Sequence, residues 1–359
     1  MRIFLYEFIA GGGLFDGSDE PLHRPLLTEA LAMLTALSAD LAAIDFIELT
    51  GLIDCRLASS TIFGCELTTV ASRLEAEAAF REHAHRADHT IVIAPETGGC
   101  LERAAGTVEE VGGQLLSPSP ACIALAADKH ALAEHLAAHG VAVPRGVAIG
   151  PGDRWPEELG WPLVAKPCDG AGSQGIRFVA TRGADIPVCH GERLRIERFY
   201  SGLPCSVAVL CGPKQQIALE PCRQHLDLEH GMHYHGGSLP LPETLAARAR
   251  RLAARAVATL DGALGYIGVD LVLGDDSSGR DDVVIEINPR LTTSYVALRR
   301  ACRSNLAAAM LDVATGREVT IAFDPQPIAF RVDGTVGVIE TFAGGDSPGA
   351  NAVSGSFAG

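Results

Sequence analysis

Two lysines, a run of glycines, and a pair of acids beside an amide are the groups in this sequence best suited to chemistry. Lys166 ends the apolar run Trp161-Pro162-Leu163-Val164-Ala165. An ammonium at the end of a buried strand is costly unless an anion meets it. Lys129 follows Ala127-Asp128 at the start of a helix-spaced segment. Three residues past Lys166 comes Asp169-Gly170-Ala171-Gly172-Ser173-Gln174-Gly175. Small residues let a backbone close over a ligand and aim several N–H groups at phosphate oxygens. The run is not a P-loop, because no Gly-Lys-Ser/Thr follows and a strand comes next. Alone, a glycine turn also fits a hairpin and a lysine also fits a solvated surface; their adjacency favours phosphate.

The third group is Asp270, in Gly-Val-Asp-Leu-Val-Leu, with Glu286 and Asn288, in Val-Val-Ile-Glu-Ile-Asn-Pro-Arg. Side chains alternate along a strand, so 286 and 288 share a face and a hairpin partner can bring 270 opposite them. Two carboxylates and an amide oxygen make a hard-oxygen site suited to Mg²⁺ or Mn²⁺. Glu7 and Glu96 each follow an expected strand, where they could hold the ammonium of an amine or simply bond loop amides. The segment 225–235 holds four histidines among glycines, without the helical spacing of a zinc protease. It reads as a mobile loop over the substrate, with Tyr234 and His235 as contacts.

These groups need elements to position them. The first 115 or so residues alternate strand-like segments (2–9, 43–49, 89–94) with helix-like ones (26–41, 71–87). That alternation suggests an open parallel sheet with ligand groups at the strands' carboxyl ends. Ser117-Pro118-Ser119-Pro120 punctuates a boundary. A helix over 121–138 follows, then strands over 161–167, 176–180, 195–199, 206–210 and 216–220. A long Ala/Arg helix over 242–260 precedes strands at 267–273 and 282–288. The Gly/Ser/Ala-rich stretch 343–359 reads as a poorly ordered tail.

Composition narrows the partners. The chain has 359 residues, 47% of them hydrophobic, and a formal charge of -15. Such acidity repels polyanions, so neither a nucleic acid nor an anionic membrane is expected as partner. No apolar run approaches the roughly 18 residues of a membrane span. Ten cysteines without a Cys-x-x-Cys pair read as reduced thiols, and cytoplasm is the expected location.

Together, the lysines, the glycine run and the later acid/amide strand resemble the ATP-grasp superfamily over about residues 117–315. The resemblance implies an α/β N-terminal pre-ATP-grasp domain (1–116) followed by a two-subdomain α+β ATP-grasp fold. A small subdomain with the glycine-rich loop would span 117–196, a large subdomain with the metal site 197–320, and a C-terminal segment 321–359. It implies ATP held by Lys129 and Lys166, with Gly170, Gly172, Ser173 and Gly175 over its phosphates. Glu197, in Arg-Ile-Glu-Arg-Phe-Tyr, and Phe199 would lie at the adenine, which Glu197 would read through main chain and carboxylate. Asp270, Glu286 and Asn288 would hold Mg²⁺ or Mn²⁺. Tyr-Glu-Phe-Ile-Ala-Gly-Gly-Gly, Ile-Ala-Pro-Glu-Thr-Gly-Gly, Tyr-His-Gly-Gly-Ser and Glu-Ile-Asn-Pro-Arg-Leu-Thr-Thr-Ser-Tyr further resemble the tyramine–glutamate ligase group. That group implies an ATP-dependent ligase joining glutamate or a similar amino acid to an amine through an acyl phosphate, in one-carbon cofactor (methanofuran-type) biosynthesis. The catalytic residues would be Lys166 and Arg290, whose planar fork suits the acceptor carboxylate or acyl phosphate. Partners would be small amino-acid and amine substrates, and a homodimer is allowed. An ATP-grasp small-molecule kinase and a non-catalytic nucleotide-binding protein are the alternatives.

Overall fold

The computed structural model describes residues 1–15, 24–57, 62, 64–170, 175–181, 192–227 and 232–339. Gly172, Ser173, the tip of the histidine segment (228–231) and the tail 343–359 lie outside the described residues.

The chain opens with β1 (Arg2–Glu7), α1 (Arg24–Ala42), β2 (Glu48–Asp54), β3 (Cys65–Val70), α2 (Arg73–Arg86), β4 (His89–Ile93) and α3 (Cys100–Glu110). The strands form one parallel sheet in the order β3-β2-β1-β4. Both its faces are covered, as a parallel sheet requires. Phe4, Tyr6, Leu52 and Val92 pack one way with Phe80 of α2 and Leu101 of α3, while Ile3, Leu5, Ile53 and Ile93 pack the other way with Leu34 and Leu37 of α1. β2 begins at Glu48 rather than near residue 43, because the chain turns at Phe46, whose φ is 66°. β3 is a mostly exposed edge strand without the apolar pattern that marks the other three.

The expected helix over 121–138 is two helices, α4 (Pro120–Ala127) and α5 (Lys129–Ala138). Asp128 breaks it by adopting an extended backbone and accepting hydrogen bonds from the N–H groups of His130 and Ala131. Such a cap contributes about 1 kcal/mol. It also starts a new helix with Lys129 in its first turn.

Then follow β5 (Gly146–Ile149), β6 (Leu163–Pro167), β7 (Arg177–Val179) and β8 (Leu194–Arg198), an antiparallel sheet in the order β5-β8-β6-β7. Leu163, Ala165, Val179, Leu194 and Ile196 face a small core with Trp155 and Trp161. By alternation, Val164, Lys166, Phe178, Arg195 and Glu197 face the other way, toward the cleft.

The largest sheet comprises β9 (Leu203–Cys211), β10 (Gln216–Ala218), β11 (Cys222–Asp227), β12 (His233–Leu239), β13 (Gly265–Leu273), β14 (Val283–Asn288), β15 (Ile328–Arg331) and β16 (Val336–Val338). Its order is β14-β13-β9-β11-β12-β15-β16, with β10 beside β9. α6 (Glu243–Val257) covers one face; α7 (Tyr295–Ala301) and α8 (Leu306–Ala314) pack on the other. β15 and β16 complete this sheet, so its edge comes from beyond residue 320, where a separate segment was expected.

The segment expected to be a mobile loop is, where described, the two strands β11 and β12. Glycines make the close pairing possible: a Cβ on Gly237 would stand 2.4 Å from the Arg223 carbonyl oxygen. One continuous core runs from the first sheet through α1, α7 and α8 to this sheet. The small sheet has a core of its own. No helix among the described residues is long and apolar enough to cross a membrane.

Candidate active site

Register puts the third group together. Asp270 of β13 pairs with Glu286 of β14, and Gly268 pairs with Asn288. Asn288 Nδ2 donates to Asp270 Oδ2 at 3.1 Å, and Gln224 Nε2 of β11 donates to Asp270 Oδ1 at 2.9 Å. Burial pushes the Asp270 carboxyl up to about 8, helped by the neighbouring Glu286 charge. Burial alone would raise Glu286 too, but the ammonium groups of Lys129 and Lys166 and its bond to Asp270 overcome this and hold it below the ordinary carboxylate range. Two carboxyls in contact favour keeping one proton between them. A site of hard oxygens whose acids repel each other in this way suits a divalent cation, which would take the proton's place.

Both lysines reach this acid strand. Lys129 Nζ lies 3.4 Å from Glu286 Oε2 and also donates to the carbonyl oxygen of Gly170. Lys166 Nζ donates to the Ile285 carbonyl at 3.3 Å and pairs with Glu197 Oε1 at 2.6 Å. A bulge in the β13–β14 ladder falls between Asp270 and Leu271, opposite Ile285. Bulges of this kind redirect backbone groups, here in the neighbourhood of a lysine that is 2% exposed.

Glu197 meets Lys166 through one carboxylate oxygen. Its second oxygen, Oε2, accepts from Arg195 Nε at 2.6 Å, so both carboxylate oxygens are engaged by buried cations. Arg195 is itself fixed by the Pro144 carbonyl at 2.7 Å and the His130 ring at 2.9 Å. Phe199 sits edge-to-face with Phe178, with ring centroids 5.0 Å apart, forming an apolar wall beside the end of β8. Gly170 touches Lys129, and Gly175 closes the far end of the glycine run with a φ of +72°.

Arg290 is bidentate on Glu96, through Nε at 2.9 Å and a terminal nitrogen at 3.2 Å. The two residues are 194 positions apart, and nothing local in the sequence links them. Two of the five guanidinium N–H groups hold Glu96 and a third holds the Leu291 carbonyl. Among the described residues, one N–H on each terminal nitrogen has no acceptor.

Glu7 is 3% exposed at the end of β1 and accepts the N–H of Ala10 at 2.7 Å, the loop-amide role. Burial pushes it up to about 7, against the N–H groups of Ala10 and Ile9 and the Arg290 charge. Glu29 of α1 adds a further negative charge felt by both Glu7 and Arg290, and it accepts the hydroxyl of Thr293.

Every polar side chain of the 290–295 segment is committed. Arg290 holds Glu96 and Thr293 holds Glu29; Tyr295 donates to Asp40 at 2.6 Å, all three reaching into the first domain. Thr292 and Ser294 bond the Tyr266 hydroxyl, each at 3.2 Å. β14 is thus bolted to the first domain directly after Asn288.

Tyr234 and His235 separate. Tyr234 packs against the shared core, and its hydroxyl is pushed well above its ordinary range by burial and by charges including Asp270 and Glu29. His235 is exposed, and its charge acts on His225, an exposed residue adjacent in sequence to Gln224 and so on the opposite face of the sheet. Tyr234 therefore belongs to the cleft side and His235 does not, correcting the pairing. Gln224, Arg195 and Glu29 went unread in the sequence. For Gln224 the signal was present, since Cys222, Gln224 and Leu226 alternate as a strand.

The comparisons with known proteins agree with this layout. A pre ATP-grasp 3 domain profile matches residues 47–123 and an ATP-grasp domain profile matches residues 126–294. The tyramine–L-glutamate ligase of Methanocaldococcus fervens is 28% identical over 233 residues, covering 65% of this chain and 68% of that one. The carbamoyl phosphate synthase large chain of Mycobacterium tuberculosis is 24% identical over 256 residues, and the match covers 62% of this chain but 22% of that much longer one. Among solved structures, an ATP-grasp superfamily protein from Archaeoglobus fulgidus superposes with a TM-score of 0.69 at 22% identity, covering 92% of each chain. Biotin carboxylase from Campylobacter jejuni gives a TM-score of 0.67 at 16% identity, covering 91% of this chain and 74% of that one. At such identities these structures speak for the fold alone. By its two domain matches and its fold, the chain belongs to the ATP-grasp superfamily, with a pre-ATP-grasp domain ahead of its ATP-grasp domain.

Proposed function

We propose that this chain is an ATP-dependent carboxylate–amine ligase that forms an amide and releases ADP and phosphate. The observation that carries the reading is the convergence of Lys129 and Lys166 on β14, whose Glu286 and Asn288 meet Asp270 of β13 and which continues directly into the Arg290–Glu96 pair. Cationic groups for a triphosphate, oxygen ligands for a divalent ion, and a guanidinium with unused N–H groups then lie along one path.

In this reading an oxygen of the acceptor carboxylate attacks the γ-phosphorus of ATP, forming an acyl phosphate and ADP. The amine nitrogen then attacks the acyl carbon, the C–O bond to phosphate breaks, and phosphate leaves as the nitrogen gives up a proton. Neither step needs a covalent bond to the protein, so positioning and charge neutralisation supply the rate. Lys129 and Lys166 would hold phosphate oxygens, each exchanging part of its present ion pair for the nucleotide. Asp270, Glu286 and Asn288 would hold Mg²⁺ or Mn²⁺, which when bound offsets phosphate charge. Gly170 to Gly175 would lie over the phosphates, and Phe178 with Phe199 would flank the base. Arg290, held by Glu96, would present its remaining N–H groups to the acceptor carboxylate. Glu7 and Glu29 make the neighbouring space acidic and suited to an ammonium, with the neutral Tyr234 hydroxyl close by.

The finer reading is that the acceptor is glutamate or a similar amino acid, joined to an amine in methanofuran-type cofactor synthesis. It is supported by the likeness to the tyramine–L-glutamate ligase. Free thiols at all nine described cysteines support a reducing, cytoplasmic setting. Incubation with ATP, Mg²⁺, an amino-acid panel and hydroxylamine tests the reaction class. A ligase yields a hydroxamate and ADP in equal amounts. A stable phosphoester would mark a kinase instead, and no ADP with any acid would reject both.

A further inference from the structure

The 95–99 loop of the first domain is held from two sides. Its Glu96 carries the Arg290 fork of the large sheet. Two residues on, the Gly98 N–H donates to both carboxylate oxygens of Asp169, at 3.0 and 3.2 Å. Asp169 is the first residue of the glycine run, and it is anchored in turn. It bridges Asp128 backbone to backbone, the Lys129 N–H donates to the Cys168 carbonyl at 2.9 Å, and the Lys129 ammonium meets the next carbonyl, Gly170.

The geometry of the loop is built to present that N–H. Gly98 and Gly99 have φ values of +62° and +67°, a conformation that turns successive amides outward and that side chains resist. A Cβ at Gly98 would meet nothing within 4 Å, so space does not require glycine there; the backbone direction does. Arg103, exposed in the first turn of α3, also holds the turn by donating to the Gly98 carbonyl. The loop leads straight into α3, whose N-terminal partial positive charge favours a carboxylate nearby.

We infer that Asp169 is a positioning residue: it ties the 95–99 loop to the nucleotide side of the cleft and so fixes Glu96 and Arg290 relative to the lysine pair. This tie matters because the small sheet has a core separate from the one shared by the first domain and the large sheet. Among the described residues, the Asp169 bond is a contact across that division that lands on the loop carrying Glu96. The role of the pair it positions rests on the ligase reading proposed above; the tie itself does not.

Asp169 is exposed, so its replacement leaves the cores intact. Hydrogen exchange of the peptide spanning 95–101, without nucleotide, tests the tie. In Asp169→Ala one further amide becomes fast, by about fivefold to tenfold, the range expected for one hydrogen bond lost at an exposed site. Asp169→Asn, which keeps an acceptor oxygen, restores most of the protection. Equal uptake in wild type and Asp169→Ala overturns the inference. Kinetics and calorimetry test the consequence. With whichever amino acid stimulates ADP release, kcat falls about tenfold in Asp169→Ala while the Kd for MgADP stays within about twofold. An unchanged kcat overturns the positioning role. Failure of MgADP to bind the wild type would reject the ligase reading, leaving the exchange result to decide the tie.

Discussion

Replacing Lys166 by Met separates what this residue does for the fold from what it does for the nucleotide. Its ammonium is 2% exposed and 2.6 Å from Glu197 Oε1, so its loss leaves a buried carboxylate short of a partner. Breaking a buried pair costs about 3–5 kcal/mol when the remaining charge is stranded. Here Arg195 still holds the other oxygen at 2.6 Å, which places the cost lower, near about 2 kcal/mol. The urea midpoint should therefore fall by less than about 1 M for a chain of this size. Met keeps the length and apolar stem, so the strand stays packed. A charge-assisted contact to phosphate is worth about 1.5–3 kcal/mol, which raises the Kd for MgADP by about 10- to 100-fold. Calorimetric titration of MgADP reads this directly, with far-UV circular dichroism confirming the fold. An unchanged Kd in a folded variant would refute the assignment of Lys166 to the nucleotide, and its pairing with Glu197 would then be structural only.

Three other outcomes are expected. Glu286→Gln keeps shape but removes a charged oxygen from the candidate metal site, so ADP formation falls at least about 100-fold and the divalent-ion requirement shifts to higher concentration; near-normal turnover would count against that site. Arg290→Lys replaces a planar fork with a point charge, loses one of the two bonds to Glu96 and lowers kcat/KM by about 10- to 100-fold, read by coupled ADP release. Glu7 has its folded pKa raised to about 7 from 4.5, so between those values the folded state binds the proton that the unfolded chain has lost. Its burial therefore costs stability above pH 7, by about 3 kcal/mol, and the cost fades as pH falls toward 4.5. Glu7→Gln should raise the urea midpoint over wild type at pH 8 and match it near pH 4.5; a constant difference across that range would contradict the shift.

The site was legible wherever strand alternation and composition carry it. An acid in an apolar strand has to meet something, and the register of β13 against β14 brings Asp270 to Glu286 as the period-two rule requires. A lysine after four apolar residues likewise had to find an anion, though the sequence could not say that this anion would be Glu197. Partners far apart in the chain were the part that could not be read. Arg290 and Glu96 lie 194 positions apart, and Thr293 and Glu29 264 apart, so nothing local links them. β11 and β12 were missed for another reason: histidines and glycines there resemble a loop, and only the close approach of neighbouring strands explains the glycines. In α4–α5 the apolar spacing was right, yet one aspartate, by capping its neighbours, divided the helix and set Lys129 in place.

Ligase chemistry of this kind requires phosphate to pass to a carboxylate. The acid that drives ADP formation can be labelled with ¹⁸O in its carboxyl group and the released phosphate examined by ³¹P NMR in the presence of the amine. One labelled oxygen should appear in each phosphate, because the acyl C–O bond breaks when nitrogen attacks. Phosphate free of label, formed together with ADP and amide, would contradict the mechanism.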